Sequence, residues 1–424
     1  MAIEGESYDP YRIRRLELSR VCHHWREIIL NTPKFWSFIR LESTWPKSLV
    51  EVHIHKSGQL PLDIVLGSRS HRLSYMSKSN VDDLLDTLIP TAHRWNSLVI
   101  EDSHCAAHFS TILNRLDSAV FPILTRLCVN TDRIDPYQPR FLSTQKFTML
   151  TDLKLLYNIG SVSGFQIFPT LERLTLGLAY AGELDTWLPS LSSLKALSLG
   201  GRIENFPLIQ PNSIHLPFLA RFTCHVTHAE LLLQALLAPN LTHLDYSQSH
   251  SESLYRVFNG IQSKFISVRE LRLRLPTSVT ATSDSDGLIS LCLAAPEVRG
   301  IEVVDHVLNA LLGVRFDPCP IDQWEHLERV AVITSVHKLK TMQRMVPWLK
   351  RRRTKTGKRR LKIGFSVEQD SRAKLKRALF GEIRKFCDEV DFRMEKRIAP
   401  LMSGYTPCTI SDDNPRSLTA SFWY

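Results

Sequence analysis

The chain has no apolar run approaching the ~20 residues that a bilayer crossing takes. Glu4, Glu6 and Asp9 stand where a secretory leader needs a basic start and an apolar core. These absences point to a cytoplasmic or nuclear protein with no membrane partner. The eight cysteines (Cys22, Cys105, Cys128, Cys224, Cys292, Cys319, Cys387 and Cys408) never form a C-x-x-C pair. Scattered thiols at apolar positions read as small buried hydrophobes of a reducing compartment, not as disulfides or zinc ligands. No G-x-x-x-x-G-K-[ST] or G-x-G-x-x-G phosphate loop is present, since Gly357-Lys358 lacks the preceding glycine and strand. H-E-x-x-H and G-x-S-x-G are absent too. Cys22-His23-His24 and His53-x-His55 lack further donors at ligand spacing, so neither a metal nor another cofactor is expected. With no nucleophile, base or acid to defend, the expectation is a protein that is not an enzyme.

What the chain does have is ordinary globular composition: 424 residues, 43% hydrophobic and 23% charged. Its net charge of +10 is unevenly placed. Residues 338–397 hold 21 Lys and Arg against 7 Asp and Glu, while the remainder carries 32 basic and 36 acidic residues. Only the C-terminal part is basic.

The strongest internal signal is a repeat. The pattern apolar-x-x-apolar-x-apolar occurs at Trp95-Leu98-Ile100, Leu124-Leu127-Val129, Leu150-Leu153-Leu155, Leu171-Leu174-Leu176 and Leu194-Leu197-Leu199. It continues at Leu219-Phe222-Cys224, Leu241-Leu244-Tyr246, Val268-Leu271-Leu273, Val298-Ile301-Val303 and Leu327-Val330-Val332. The last two apolar positions alternate, as a short strand with one buried side demands. Pro122, Pro169, Pro217, Pro239 and Pro296 stand two residues ahead of a register, where proline ends a helix and enters a strand with no amide to pair. Amphipathic patterns at Val81–Ile89, Phe109–Leu116, Ala229–Leu237, Leu254–Ile261, Leu288–Ala294 and Val307–Leu312 predict helical returns. Such a unit cannot bury its apolar side alone, so neighbours stack. The pattern resembles a degenerate leucine-rich repeat; another α/β topology that alternates strands and helices is the competing reading.

The N-terminal segment places Leu18, Val21, Cys22, Trp25 and Ile29 at the spacing of one helix face, before Pro33 breaks it and Trp36 supplies a further apolar side chain. The run V-C-x-x-W-R, then P-x-x-W, resembles the second half of an F-box. Trp36-Ser-Phe-Ile-Arg-Leu41 and Lys56-Ser57-Gly58-x-x-Pro61-Leu62-x-Ile64-x-Leu66 are similar to the segment after that module in a group of fungal F-box proteins. Residues 1–17 carry no Leu-Pro pair, so the expected F-box is partial. An ordinary helix packed on its own domain is the alternative. Together these signals divide the chain into a partial F-box-like segment (1–45), a connecting segment (46–94), the solenoid (95–335), a basic C-terminal cap (336–397) and an irregular tail (398–424). The expected class is α/β: a leucine-rich-repeat-like solenoid with a curved parallel sheet and helical returns, preceded by a short helical partial F-box.

The resemblance implies a substrate-recruiting adaptor of a cullin ubiquitin ligase. Leu18, Val21, Cys22, Trp25, Ile29, Pro33 and Trp36 would hold a Skp-family adaptor, and through it a cullin. The solenoid would present an unknown protein substrate, with catalysis by proximity. On the concave face one column reads Arg126, Asp152, Arg173, Ala196, Arg221, His243, Glu270, Gly300 and Arg329, and its neighbour includes Lys154 and Arg272. Arg126, Lys154, Arg173, Arg221, His243 and Arg272 form a candidate strip for an acidic or phosphorylated peptide. In the cap, Lys338–Trp348 is helix-like, residues 361–367 alternate like a strand, and Val390-Asp-Phe392-Arg-Met394 reads as a last strand. Between the first two lies a basic cluster: Lys350, Arg351, Arg352, Arg353, Lys355, Lys358, Arg359 and Arg360. It reads as a solvated loop, a nuclear-import signal or, third, a nucleic-acid contact poor in interleaved aromatics. Two further functions stay open: a leucine-rich-repeat binding module that lacks ligase coupling because its F-box is truncated, and a nuclear nucleic-acid-associated protein.

Overall fold

In a computed structural model the alternating segments are strands, and the first apolar residue of each register is the corner that leads into one. The structure describes residues 18–41, 45–67, 78–102, 106–131, 146–159, 168–180, 184–204, 209–248, 252–276, 285–313, 319–334, 339–356, 361–367, 383, 385–387 and 389–394. The chain forms two compact units, Met1–Ser193 and Leu194–Tyr424.

In the first unit the strands are β1 (Phe38–Leu41), β2 (Leu62–Gly67), β3 (Trp95–Asp102), β4 (Arg126–Thr131), β5 (Asp152–Ile159) and β6 (Arg173–Tyr180). Each pairs in parallel with its predecessor. The helices Lys47–Lys56, Lys78–Leu88 and Ala106–Leu116 lie in the connections between strands.

The second unit contains β7 (Ala196–Glu204), a short β8 (Ile214–His215), β9 (Arg221–Val226), a short β10 (Leu236–Leu237), β11 (His243–Ser247), β12 (Glu270–Arg274), β13 (Gly300–Val304), β14 (Arg329–Thr334), β15 (Lys362–Val367) and β16 (Glu389–Met394). β8 and β10 pair only with each other, in parallel. The other eight form a parallel sheet in chain order. Helices Ala229–Ala235, Leu254–Phe258, Ser285–Ala294, Asp305–Leu311 and Leu339–Thr356 lie in its connections. The helix expected over Ala229–Leu237 stops at Ala235 because Leu236 and Leu237 join β8 instead.

All thirty apolar residues of the ten registers are at most 2% exposed. The corner is a hydrogen-bonded turn that recurs along the chain. The amide of Leu124 donates to Phe121, Leu171 to Phe168, Leu219 to Leu216, Leu241 to Ala238, Val268 to Phe265 and Leu327 to Trp324. The repeated proline comes directly after the acceptor residue, the turn position that proline's fixed φ suits. At several strand entries one carbonyl accepts two successive amides of the next repeat. Thr125 receives Thr151 and Asp152, Ala220 receives Thr242 and His243, and Arg269 receives Arg299 and Gly300. Within each unit the acceptor residues of the turns are buried as well. In the first unit aromatic rings touch: Phe121 stacks on Phe147 with ring centroids 5.1 Å apart, and Phe147 meets Phe168 edge-on at 6.3 Å.

The parallel pairing extends beyond residues 95–335. β1 and β2 lie in the segments read as F-box-like and connecting, and β15 and β16 in the one read as a cap. Leu62-Ile64-Leu66 and Leu361-Ile363-Phe365 are buried like the ten registers but are one residue shorter at the corner. The tail 398–424 lies outside the described residues. Cys224, Cys292 and Cys319 are buried as expected, but Cys22 is exposed.

Candidate functional site

The N-terminal segment departs from the single apolar face expected of it. Residues 18–21 are helical, Cys22 is extended (φ −161°, ψ 171°), and a new helix runs over His23–Asn31. That break turns Leu18 and Val21 out of line with Trp25 and Ile29. Pro33 opens a 3-10 turn, Pro33–Trp36, at the position where its missing amide costs nothing. The Trp36 indole donates to the Ile29 carbonyl at 2.9 Å, and its ring meets His53 of helix Lys47–Lys56 edge-on at 5.1 Å. Ile29 is buried and Trp36 half-buried, so these two hold the segment to its own unit. Leu18 is half-buried, while Cys22 and Pro33 are exposed. Val21 (64% exposed), Trp25 (40%), Leu30 (38%) and Phe35 (36%) face solvent. Leu30 and Phe35 are not among the residues singled out in the sequence.

On the sheet face opposite the buried registers, the expected columns stand in register: Arg126, Asp152 and Arg173 in the first unit, and Ala196, Arg221, His243, Glu270, Gly300 and Arg329 in the second. Lys154 is flanked by Cys128 and Thr175. Three of the six residues of the candidate basic strip lie beside carboxylates. Arg126 lies 3.5 Å from Asp63, Arg173 Nε 2.9 Å from Asp152, and Arg272 2.5 Å from Glu302 and 3.8 Å from Asp245. Parallel strands lie about 4.8 Å apart, so opposite charges at equal register meet across them. These pairs make a partial ladder of matched charge, and at them an acidic peptide must compete with resident carboxylates.

Asp245 is the centre of this ladder. It faces His225 at 3.5 Å and Arg272 and Arg274 at 3.8 Å. Burial pushes its carboxyl up, but the His225 hydrogen bond and the two arginines hold it below the ordinary carboxylate value. His243 is shifted down, first by burial and then by the charges of Arg221 and Arg329, against the opposing Glu270.

The basic cluster is corrected in part. The helix does not end at Trp348 but continues to Thr356, so Lys350–Thr356 is helical and not loop. Arg352 is buried and donates to the Leu327 carbonyl at 3.1 Å and the Trp324 carbonyl at 3.4 Å. Its guanidinium lies 5.5 Å from the Trp348 ring centroid. Arg351 donates to Cys319 Sγ at 3.1 Å, and Lys350 sits 5.6 Å from the Phe386 ring centroid. Arg353 and Lys355 share the helical backbone, whereas Lys358, Arg359 and Arg360 lie outside the described residues.

Among the described residues neither histidine pair gathers metal donors: Cys22, His23 and His24 are exposed, and His53 is buried against Trp36 and Trp45. No family model matches the sequence, and no curated protein matches it either.

Proposed function

We propose that the chain is a substrate-recruiting F-box-type adaptor of a cullin ubiquitin ligase. Its N-terminal segment engages a Skp-family adaptor, and a leucine-rich-repeat-like solenoid presents a target protein. One observation carries the reading: Val21, Trp25, Leu30 and Phe35, four large apolar side chains within a short helix and turn, face solvent together in sequence. Exposed tryptophan flanked by aliphatics is the composition of a protein-docking patch, in which such residues act as anchors. Recurrent turns, short parallel strands in chain order and helical connections support the solenoid. The role suits the cytoplasm or nucleus, and the chain itself supplies recognition, not catalysis.

The inward placement of Ile29 and Trp36 favours a second reading, a leucine-rich-repeat binding module without ligase coupling, in which the segment merely packs on helix Lys47–Lys56. A capture experiment with purified Skp-type adaptor separates the two. The unaltered protein is retained, and Val21→Asp with Trp25→Ala lowers the affinity at least about thirtyfold, the loss of a binding anchor. The double variant keeps the unfolding midpoint, because neither side chain is buried. Absence of capture by the unaltered protein overturns the ligase reading and leaves the second.

A further inference from the structure

In the second unit, the turn from β9 into helix Ala229–Ala235 passes through His228, which sits in the left-handed region at φ 59°, ψ 39°. Two residues on, Glu230 is 5% exposed. Its Oε1 pairs with Arg256 at 3.0 Å, and its Oε2 is buried with no hydrogen-bond partner. Glu252 Oε1 accepts the Ala229 amide at 3.0 Å, and its Oε2 is likewise buried and unpartnered. One donor atom each from His228, Glu230 and Glu252 lies within 4.8 Å of the other two.

A second observation points to the same place from β11. Tyr246 is 0% exposed, and its hydroxyl has no hydrogen-bond partner. Gln248, 5% exposed, donates to the backbone carbonyl of Glu252 and leaves its own Oε1 unpartnered. An unmet buried polar atom is costly, so two buried carboxylate oxygens without partners, one on Glu230 and one on Glu252, call for a bound group.

We infer that His228, Glu230 and Glu252 bind a divalent first-row transition-metal ion, zinc being the probe of choice, as a structural site within the second unit. An imidazole with two carboxylates is a donor set suited to such ions. Glu230 keeps Oε1 for Arg256 and has Oε2 left for the ion. The dication offsets two carboxylates that otherwise repel each other. Zinc bonds of about 2.1 Å put tetrahedral donors about 3.4 Å apart, so the donors must draw in by roughly 1 Å. His228 is exposed and has room to do so, and it gives the ion a way in. The ion would tie the residues before helix Leu254–Phe258 to the start of helix Ala229–Ala235. The inference is independent of any ligase role.

Its test uses full-length protein stripped with chelator, then titrated with Zn²⁺ by calorimetry and followed by thermal unfolding. The expected result is one equivalent bound and a raised unfolding midpoint. Glu252→Gln keeps an oxygen for the Ala229 amide, and His228→Asn keeps a residue that tolerates the left-handed conformation. Each lowers affinity about tenfold or more, on the scale of lost coordination support. His215→Asn, altering an exposed histidine remote in sequence, leaves binding unchanged. Absence of saturable binding, or an affinity in both ligand variants equal to that of the unaltered protein, overturns the site. A midpoint that rises on acidification but not with Zn²⁺ assigns the carboxylates a shared proton and overturns it too.

Discussion

Glu270 and Arg329 form an ion pair across a whole strand, β13, because the residue between them at that register is Gly300. A Cβ at Gly300 would overlap the Glu270 carboxylate. Glu270 is partly exposed and can swing aside, so Gly300→Ala should break the pair at a cost below about 1 kcal/mol, the scale of a surface ion pair. Gly287 offers the contrast. Its Cβ would come 2.5 Å from the Tyr255 amide nitrogen and 2.6 Å from Leu254 Cβ, where helix Ser285–Ala294 packs on helix Leu254–Phe258. Alanine ordinarily favours a helix over glycine by about 1 kcal/mol. Here overpacking against backbone should outweigh that gain, leaving Gly287→Ala destabilised by about 1–3 kcal/mol. Urea unfolding midpoints of the two variants check both expectations, and equal midpoints contradict them.

Asp245 makes the ladder of charge pH-dependent with a definite sign. Its carboxyl is held below the ordinary value of 3.8 in the folded chain. The unfolded state therefore takes up the proton first as pH falls. The stability Asp245 contributes is complete above the unfolded value and disappears as pH drops through the folded one. Asp245→Asn should lower the unfolding midpoint at pH 7 and converge with the unaltered protein in acid, once the carboxyl is protonated in the folded chain. Parallel denaturation series at both pH values measure this; a gap that widens on acidification contradicts it.

Arg352 belongs to the interior of the second unit, and its loss should be felt there. Truncating it strands the buried carbonyls of Leu327 and Trp324. Arg352→Ala should cost about 2–4 kcal/mol, whereas Lys350→Ala, at an exposed position, should cost less than about 0.5 kcal/mol. Thermal unfolding separates them. Similar midpoints would mean that the whole cluster is solvated.

The stacked Phe121–Phe147 pair gives a prediction for the first unit. Both rings are at most 2% exposed. Phe147→Ala should destabilise by about 3–5 kcal/mol and Phe147→Leu by clearly less, since leucine refills most of the space. Chemical denaturation of both variants provides the measurement, and equal losses would count against a packed column.

The ten registers were legible because burial on one side of a strand imposes a period that residue type alone reveals, as at Leu171-Leu174-Leu176. The columns were legible for the same reason: equal spacing from each corner predicts which residues pair across strands. Leu62-Ile64-Leu66 and Leu361-Ile363-Phe365 escaped because each corner is one residue short, which takes the segment off the template while leaving it buried. The turn-acceptor residues escaped because, from Phe121 to Ala238 to Trp324, they share a position and not a residue type. The charge pairs were visible in the alternating column Arg126-Asp152-Arg173, but the basic members were read without their neighbours. The His228, Glu230 and Glu252 cluster had no spacing signature, since β11 separates its members in sequence. The break at Cys22 left no mark, because a helix pattern continues through it unchanged.

Strand order that matches chain order has a kinetic consequence. Within each unit a strand finds its partners one connection away, so contact order stays low however many strands are added. Assembly can begin at any adjacent pair and grow outward, and dissolution can peel back from an end without disturbing the middle. Amide exchange should therefore be slowest at strands such as β12 and accelerate stepwise toward β16.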